Sequence, residues 1–445
     1  FCLSRGLGDV YKRQDISKIF DFFDINYRIH RYKHLIVSPH YTRSRFYKLI
    51  DREISHALAG RKTYIKLKMN SLSDFGMIDK LYEASNAGVK IQLEVRGICS
   101  LIPGVKGIEF GLGFEFANSK ALSIIPRAAG TSLAGQCVGD GIVVDVSKYM
   151  NTILEINTQE QWVRVQPGVV RDHLNEFLKP FGFFFGPNTS TANRCTMGGM
   201  VGNNSCGSTS IEYGSTRDHT LAVKAILSDG SDVEFSPLSK EDFNSKTQGT
   251  SLEADLYKHM YSELDNPMVR DLIKSGYPKA SITRRNTGYA VDALMETNVF
   301  TESNDAFNFS KLLCGSEGTL AFTTELKLKI VPLPKPFQVV LNAHFNSITE
   351  SLQATLVAMK LSPSACELMD KTILDCTKDN ITQQKNRFFV EGDPEAILMV
   401  EFRGDTLEEA RQQAKALETN LKTSQLGYAY KLVEGEDCDK VWDLR

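Results

Sequence analysis

The stretch FFGPNTSTANRCTMGGMVGNNSCGSTSIEYGSTRDH, residues 184–219, constrains this chain more than any other. Gly186, Gly198, Gly199, Gly202, Gly207 and Gly214 are interleaved with Asn, Ser and Thr, and neither a strand nor a helix period runs through it. So many hydrogen-bonding groups and so little apolar surface predict neither a core strand nor a core helix. A loop this long inside a compact domain is usually functional, because its backbone groups need partners that regular structure does not supply. The rest of the chain must then provide the core that carries it.

There is enough chain to do so. At 445 residues, 42% hydrophobic and 24% charged, the sequence has room for about two or three ordinary globular domains. A net charge of -2 gives no global attraction to nucleic acid or anionic lipid. Arg28 to Lys68 is locally basic, with Asp51 and Glu53 its only acids, which fits a phosphate-rich partner or a solvated face. No apolar run reaches membrane length and no signal-peptide core opens the chain, so a cytoplasmic protein without a transmembrane segment is expected. Its nine cysteines are scattered singly, with no CxxC pair, which predicts reduced thiols and neither a metal site nor an iron–sulfur cluster. Residues 1–14, FCLSRGLGDVYKRQ, have no periodicity and read as a non-native, adapter-like tail.

In RFYKLIDREISHALAG, Phe46, Leu49, Ile50, Ile54, Ala57 and Leu58 follow helical spacing, and Gly60 stands where a glycine ends a helix. TYIKLKMN alternates Ile65, Leu67 and Met69 against Lys66 and Lys68, a half-buried strand. Ser73 is the expected cap of a helix carrying Ile78, Leu81 and Tyr82, with Gly88 as its stop. GVKIQLEVRG completes a β-α-β unit through Val89, Ile91, Leu93 and Val95, with Arg96 just past its second strand. Ligands bind at that edge of open α/β sheets, so Arg96 is either a phosphate grip or a surface ion pair.

The wording of residues 15–108, from YKHLIVSPHYTRSRFYKLI through VRGICSLIPGVKGI, resembles the C-terminal catalytic region of the polyphosphate kinases. The resemblance implies an α/β fragment in which Arg96 contacts ATP. The two active-site histidines of that family lie outside the matching segment, and His30, His34, His40 and His56 stand in neither motif. Without a histidine nucleophile there is no phosphoenzyme, so phosphoryl transfer is not expected.

Residues 109–113 form an unassigned join, read as a seam between two truncated proteins, and 114–336 form the next piece. Gly111 and Gly113 lack the third glycine of a nucleotide loop. ALSIIPRAAGTSLAGQ reads as a short strand closed by Pro126 and a small-residue loop whose backbone approaches a ligand closely. Gly130 to Gly135 has Walker A spacing, but Gln136 and Cys137 occupy the places of Lys and Ser/Thr. That argues against triphosphate hydrolysis and for a pyrophosphate held by backbone. GIVVDVS and WVRVQPGV are short strands, and a helix from about Val169 gathers Val170, Leu174, Phe177 and Leu178 on one face. Residues 221–227 and 232–235 flank Asp229 and Gly230, a hairpin signal, and residues 253–275 read as helical.

The series PRAAGTSLAGQ, GPNTSTANR, GGMVGNNSCGS, YGSTRDH and CGSEGTLA resembles the FAD-binding domain of the p-cresol methylhydroxylase type. Within that type it is most similar to D-lactate, glycolate and D-2-hydroxyglutarate dehydrogenases. The resemblance implies that Arg127, Ala128, Ala129, Gly130, Thr131, Ser132, Gly135 and Gln136 hold the FAD pyrophosphate. By the same resemblance Pro187, Thr189, Ser190, Gly198, Gly199, Asn203, Ser205, Gly207, Tyr213 and Gly214 line the path of the cofactor. Gly315, Ser316, Glu317, Gly318 and Thr319 would close over the flavin. Ala129 and Gly130 stand where some members carry a covalently attached histidine, so FAD is expected to bind non-covalently. RRNTGYAVDAL resembles the stretch that meets the flavin face, and Arg284 or Arg285 is either a substrate-carboxylate anchor or half of an ion pair. Cys314 has no base at a defined spacing and reads as a buried filler.

Residues 337–445 alternate strand and helix twice, predicting a ferredoxin-like sheet with helices on one side, one of them presenting Leu352, Leu356 and Met359. CELMDKTIL and VWDLR resemble the C-terminal substrate domain of FAD-linked oxidases, and Arg445 aligns with a substrate-carboxylate arginine. The resemblance implies hydride transfer from a small D-2-hydroxy acid to flavin N5. The family's Gly-His-rich motif is not found after Arg445, so turnover is expected to be impaired. The alternatives are phosphoryl transfer by the first segment and a non-catalytic flavin-binding protein.

Overall fold

A computed structural model describes residues 18, 42–69, 72, 74–95, 117, 122–279, 281, 282, 284, 285 and 288–444. The chain divides into two compact units, Phe1–Gly107 and Ile108–Arg445.

In the first unit, helix α1 (Thr42–Leu58) buries Ile50 and Ile54 and ends at Gly60, whose φ of 73° is the left-handed stop its position predicts. Strand β1 (Tyr64–Met69) follows, then α2 (Phe75–Asn86) and β2 (Lys90–Val95), which pairs parallel to β1. The cap of α2 is Asp74, whose carboxylate accepts from the Met77 N–H at 2.9 Å; Ser73, the expected cap, lies outside the described residues. Ile50, Ile54, Ile65, Met77, Ile78, Leu81 and Val89 make one core between the helices and the two strands. Arg96 lies outside the described residues.

The second unit opens with β3 (Ile124–Arg127) and β4 (Ile142–Asp145), a parallel pair. Strand β3 runs through Pro126 to Arg127 rather than closing at the proline. The missing N–H costs nothing there because β4 is its single strand neighbour among the described residues. Strands β5 (Ile153–Asn157) and β6 (Trp162–Val165), helix α3 (Arg171–Leu178) and the short β7 (Phe183–Phe184) follow. Leu174 and Leu178 of α3 are buried while Phe177 is exposed, so the apolar face is narrower than its spacing suggests. The donor-rich segment is not loop throughout, because Met197, Met200 and Val201 bury one face of α4 (Met197–Asn203). Strands β8 (Thr220–Ile226) and β9 (Asp232–Phe235) form the expected hairpin about Gly230, φ 89°. The helical region after them is two helices, α5 (Leu252–Leu264) and α6 (Pro267–Gly276), separated at Asn266, which caps α6 ahead of its proline. Strand β10 (Phe322–Lys329) completes an antiparallel sheet ordered β5-β6-β10-β8-β9, and β11 (Val331–Pro332) pairs with β7.

Strand β12 (Phe337–Phe345), helix α7 (Ile348–Ala358), strands β13 (Ala365–Asp370) and β14 (Ala396–Gly404), helix α8 (Leu407–Thr423), strand β15 (Ala429–Glu434) and helix α9 (Asp437–Asp443) build an antiparallel sheet ordered β13-β14-β12-β15. This is the ferredoxin-like order, but both faces are covered. Val339, Leu341, Ala343 and Phe345 pack under α7 and α8, while Val340 meets Phe389, Cys438 and Val441 on the opposite side. His344 lies on that second face, donating from Nδ1 to the Asn342 carbonyl and accepting at Nε2 from the Glu391 N–H, both at 3.1 Å. Burial pushes its pKa down, so the ring is a neutral structural group. No helix among the described residues is long and apolar enough to cross a membrane.

Helix α7 turns the opposite face inward from the one its spacing predicts: Ser351, Ala354 and Ala358 are buried, and Leu352 and Leu356 are 56% and 70% exposed. Close approach to β14 selects small residues there. Leu356→Ser should therefore change unfolding free energy by less than about 0.5 kcal/mol. Ala354→Leu should cost about 1–3 kcal/mol by overpacking, read from urea unfolding of both variants.

Candidate functional site

Three irregular segments enclose a cavity of ≈ 550 Å³. The first comprises the end of β3 and the loop after it, residues 126–137, the second residues 189–207 with α4 in its middle, and the third the loop 316–318, with Ala321 and, in β10, Thr323 beyond it.

Two cations tie the turn that follows the second segment to the turn that precedes the third. Arg217, in the helical turn Thr216–His219, donates from Nε to the Lys311 carbonyl at 3.0 Å and from Nη2 to the Cys314 carbonyl. Lys311, in the turn Ser310–Leu313, donates from Nζ to the carbonyls of Arg217 and Thr220 at 2.8 and 3.0 Å. Each cation thus caps the carbonyl end of the other's turn, where the peptide dipoles are negative. Burial pushes both pKa values down. From the same scaffold the N–H groups of Gly315 and Glu317 donate to the Val201 and Gly202 carbonyls at 3.0 and 2.8 Å, tying the third loop to the end of α4.

The first segment is fitted against both. A Cβ on Gly199 would lie 2.9 Å from the Ala128 Cβ, so α4 approaches the first loop as only glycine allows. Gly318, at φ 76°, brings the third loop onto the Pro126 ring, 2.5 Å from where its Cβ would stand.

Of the residues expected at the site, Arg127, Ala128, Ala129, Gly130, Thr131, Ser132, Gln136, Thr189, Ser190, Gly198, Gly199, Asn203, Ser205, Gly207, Ser316, Glu317, Gly318 and Arg284 line the cavity. Gly135, Pro187, Tyr213, Gly214, Gly315 and Thr319 do not line it, and several of them serve the frame instead. The Pro187 carbonyl accepts from Arg171 Nε, the Tyr213 ring packs edge-on against Phe184 at 5.1 Å, and the Thr319 hydroxyl donates to the Ser316 carbonyl. Arg285 is ion-paired with Asp292 and lines a second cavity with Arg217 and Lys311. Arg445 lies outside the described residues. Cys314 is fully buried and its thiol is pushed up by burial, which suits a filler.

Sequence reasoning passed over Thr196, Cys195, Cys206 and Pro167, which also line the cavity. Thr196 is 2% exposed and its hydroxyl has no hydrogen-bond partner; neither does the buried Nε of Arg127. Buried donors without a partner call for one, such as a ligand or water; Thr42 Oγ1, Arg164 Nε and Ser310 Oγ are others away from the cavity. A guanidinium N–H beside a loop of small residues is the donor set a pyrophosphate requires, so these residues fit a dinucleotide.

Glu317 has φ 53°, a strained value for a side-chain-bearing residue, and burial pushes its carboxyl above the ordinary value of 4.5. Its protonated form is favoured on folding, so its contribution to stability is fully present below pH 4.5 and lost as the pH rises through the folded value. Relative to Glu317→Gln, the unliganded wild type should lose stability across that window in urea titrations at stepped pH. Lys311→Met, which leaves the Arg217 and Thr220 carbonyls without their cation, should cost about 2 kcal/mol at neutral pH.

Residues 114–236 match the family described as FAD binding domain, and residues 335–445 match FAD linked oxidases, C-terminal domain. Residues 35–112 match Polyphosphate kinase C-terminal domain 2. The chain is similar to D-2-hydroxyglutarate dehydrogenase of Pantoea ananatis, 36% identical over 339 residues, covering 74% of this chain and 32% of that one. It is also similar to the enzyme of the same name from Escherichia coli, 36% identical over 289 residues, covering 64% and 27%. Its first unit is similar to polyphosphate kinase of Vibrio vulnificus, 46% identical over 113 residues, covering 25% of this chain and 15% of that one. The chain therefore spans about a third of the dehydrogenases and a smaller part of the kinase. The second unit thus carries a FAD binding domain and a C-terminal domain of the FAD linked oxidases, and residues 35–112 carry a polyphosphate kinase segment.

Proposed function

We propose that residues 114–445 form the flavin-holding part of an FAD-dependent dehydrogenase that oxidises a D-2-hydroxy acid of the lactate, glycolate or 2-hydroxyglutarate class. The observation that carries the reading is the buried, unpartnered Nε of Arg127, a residue at the end of β3 that lines a cavity walled by backbone and small side chains. Arg127 and the backbone of residues 128–132 hold the pyrophosphate, neutralising it with one cation and several N–H groups. Gly198, Gly199, Asn203 and Ser205 leave room along the wall for the rest of the cofactor, and Ser316 to Gly318 close over it. Arg284 fixes the substrate carboxylate, so that the Cα–H is oriented toward the flavin. When bound, FAD supplies the two-electron acceptor for the hydrogen leaving Cα. Ala129 and Gly130 offer no nucleophile to the isoalloxazine ring, which supports non-covalent binding.

The first unit enters this reading without phosphoryl transfer, because His56 lies in α1, outside either histidine motif of the kinases. The names of the dehydrogenases to which the second unit is similar support the hydroxy-acid class.

The purified chain titrated with FAD should take it up with quenching of flavin fluorescence, and Arg127→Ala should weaken uptake by roughly 10- to 100-fold. Acid precipitation should leave all the flavin in the supernatant. With FAD bound, a D-2-hydroxy acid should bleach the visible flavin band anaerobically, however slowly, and its L enantiomer should not. No uptake of FAD, or bleaching without regard to handedness, would sink the proposal.

A further inference from the structure

Arg284 and Arg285 are neighbours in sequence with opposite fates. The Arg285 guanidinium is ion-paired with Asp292, so its charge is already neutralised. The Arg284 side chain lines the ≈ 550 Å³ cavity and donates from Nε to the sulfur of Cys206 at 3.1 Å. No carboxylate ion-pairs with it among the described residues.

Cys206 is a fixed point. Its neighbour Ser205 accepts from Asn203 Nδ2 at 3.0 Å, and Gly207 is packed so tightly that a Cβ there would stand 2.3 Å from the Asn188 carbonyl oxygen. The thiol therefore meets the Nε edge of the guanidinium from a segment that cannot slide. A guanidinium is planar, with its donors in a rigid fork, so a contact at Nε restrains one edge of the exposed side chain and leaves the two terminal nitrogens to act together. The acceptor is neutral, and this matters. A carboxylate at the same place would take the charge and the fork, as Asp292 does for Arg285, whereas a thiol holds the edge and leaves the positive charge available. Independent evidence that a ligand occupies this cavity is the Thr196 hydroxyl, buried in its wall without a partner.

We propose that Cys206 is a positioning residue: it holds the Arg284 guanidinium by one edge so that its terminal nitrogens present a bidentate fork to the carboxylate of an anionic substrate. The inference rests on the flavin and hydroxy-acid reading above, and it assigns the thiol a place in the specificity for carboxylates.

The test uses the full chain loaded with FAD, with the loaded fraction quantified by absorbance and oxalate as the probe, read by perturbation of the flavin spectrum. Cys206→Ala should raise the oxalate Kd roughly tenfold, as expected for a lost hydrogen bond to a charged group. Cys206→Ser, whose hydroxyl also accepts, should restore it to within about threefold, and Cys206→Asp should bind oxalate more weakly than the alanine variant. In an Arg284→Lys background, which keeps the charge and lacks the fork, Cys206→Ala should have no further effect. An equal effect of Cys206→Ala in both backgrounds, or none in either, overturns the proposal. A chain that takes up no FAD fails earlier, in the FAD titration, and overturns the flavin reading with it; a loaded chain indifferent to Cys206→Ala overturns this inference alone.

Discussion

The site depends on two half-buried cations, Arg217 and Lys311, whose hydrogen-bond acceptors among the described residues are backbone carbonyls. Arg217 and Lys311 each donate into the carbonyl end of the other's helical turn, and the peptide dipoles there supply the negative potential that an acid would otherwise provide. Taking either charge out of water is costly, and burial depresses both pKa values, so the arrangement persists because several carbonyls converge on each head group. Its consequence is geometric. The two turns sit in different parts of the chain, nearly a hundred residues apart, and their mutual capping sets the distance between the loop after α4 and the loop before β10.

With that distance fixed, the cavity needs little regular structure of its own. The carbonyls at the end of α4 accept from Gly315 and Glu317, and glycines at 199 and 318 let the other two walls close onto the loop after β3. Those contacts explain why a segment so poor in apolar residues is ordered. Many of its polar groups pair with one another or with the frame, and Thr196, whose buried hydroxyl has no partner, lines the cavity.

Periodicity made much of this fold legible in the sequence. The β-α-β unit of the first segment, the hairpin at Gly230 and the order of the ferredoxin-like sheet all follow from alternation and turn residues. What periodicity hides is which apolar face is inside. Helix α7 buries alanines because it lies close to β14, so its leucines face water although their spacing alone suggests a core. Strand β5 escapes notice because ILEIN is half exposed and joined to β6 through a register shift. At the cavity the motifs fall in the loops that surround it without separating wall from frame. Tyr213 and Thr319 stand in the same motifs as the lining residues, yet their side chains turn to Phe184 and to the Ser316 carbonyl, and no spacing rule distinguishes the two roles.

The division of charge is the feature least visible in one dimension. Arginines at and beside the cavity are treated differently: Arg285 is neutralised by Asp292, Arg217 is consumed by carbonyls, and Arg284 is steadied by a sulfur. The acceptor chosen decides how much positive potential remains for an incoming anion, from least with a carboxylate to most with a thiol. Arg127 completes the series, since its Nε has no acceptor at all. On the function proposed above, positive potential remains at Arg127 and Arg284, where the pyrophosphate and the substrate carboxylate would sit, and is removed from the frame between them. Among the described residues that line the cavity Glu317 is the one acid, and burial pushes its carboxyl pKa up because the desolvated charged form is disfavoured there.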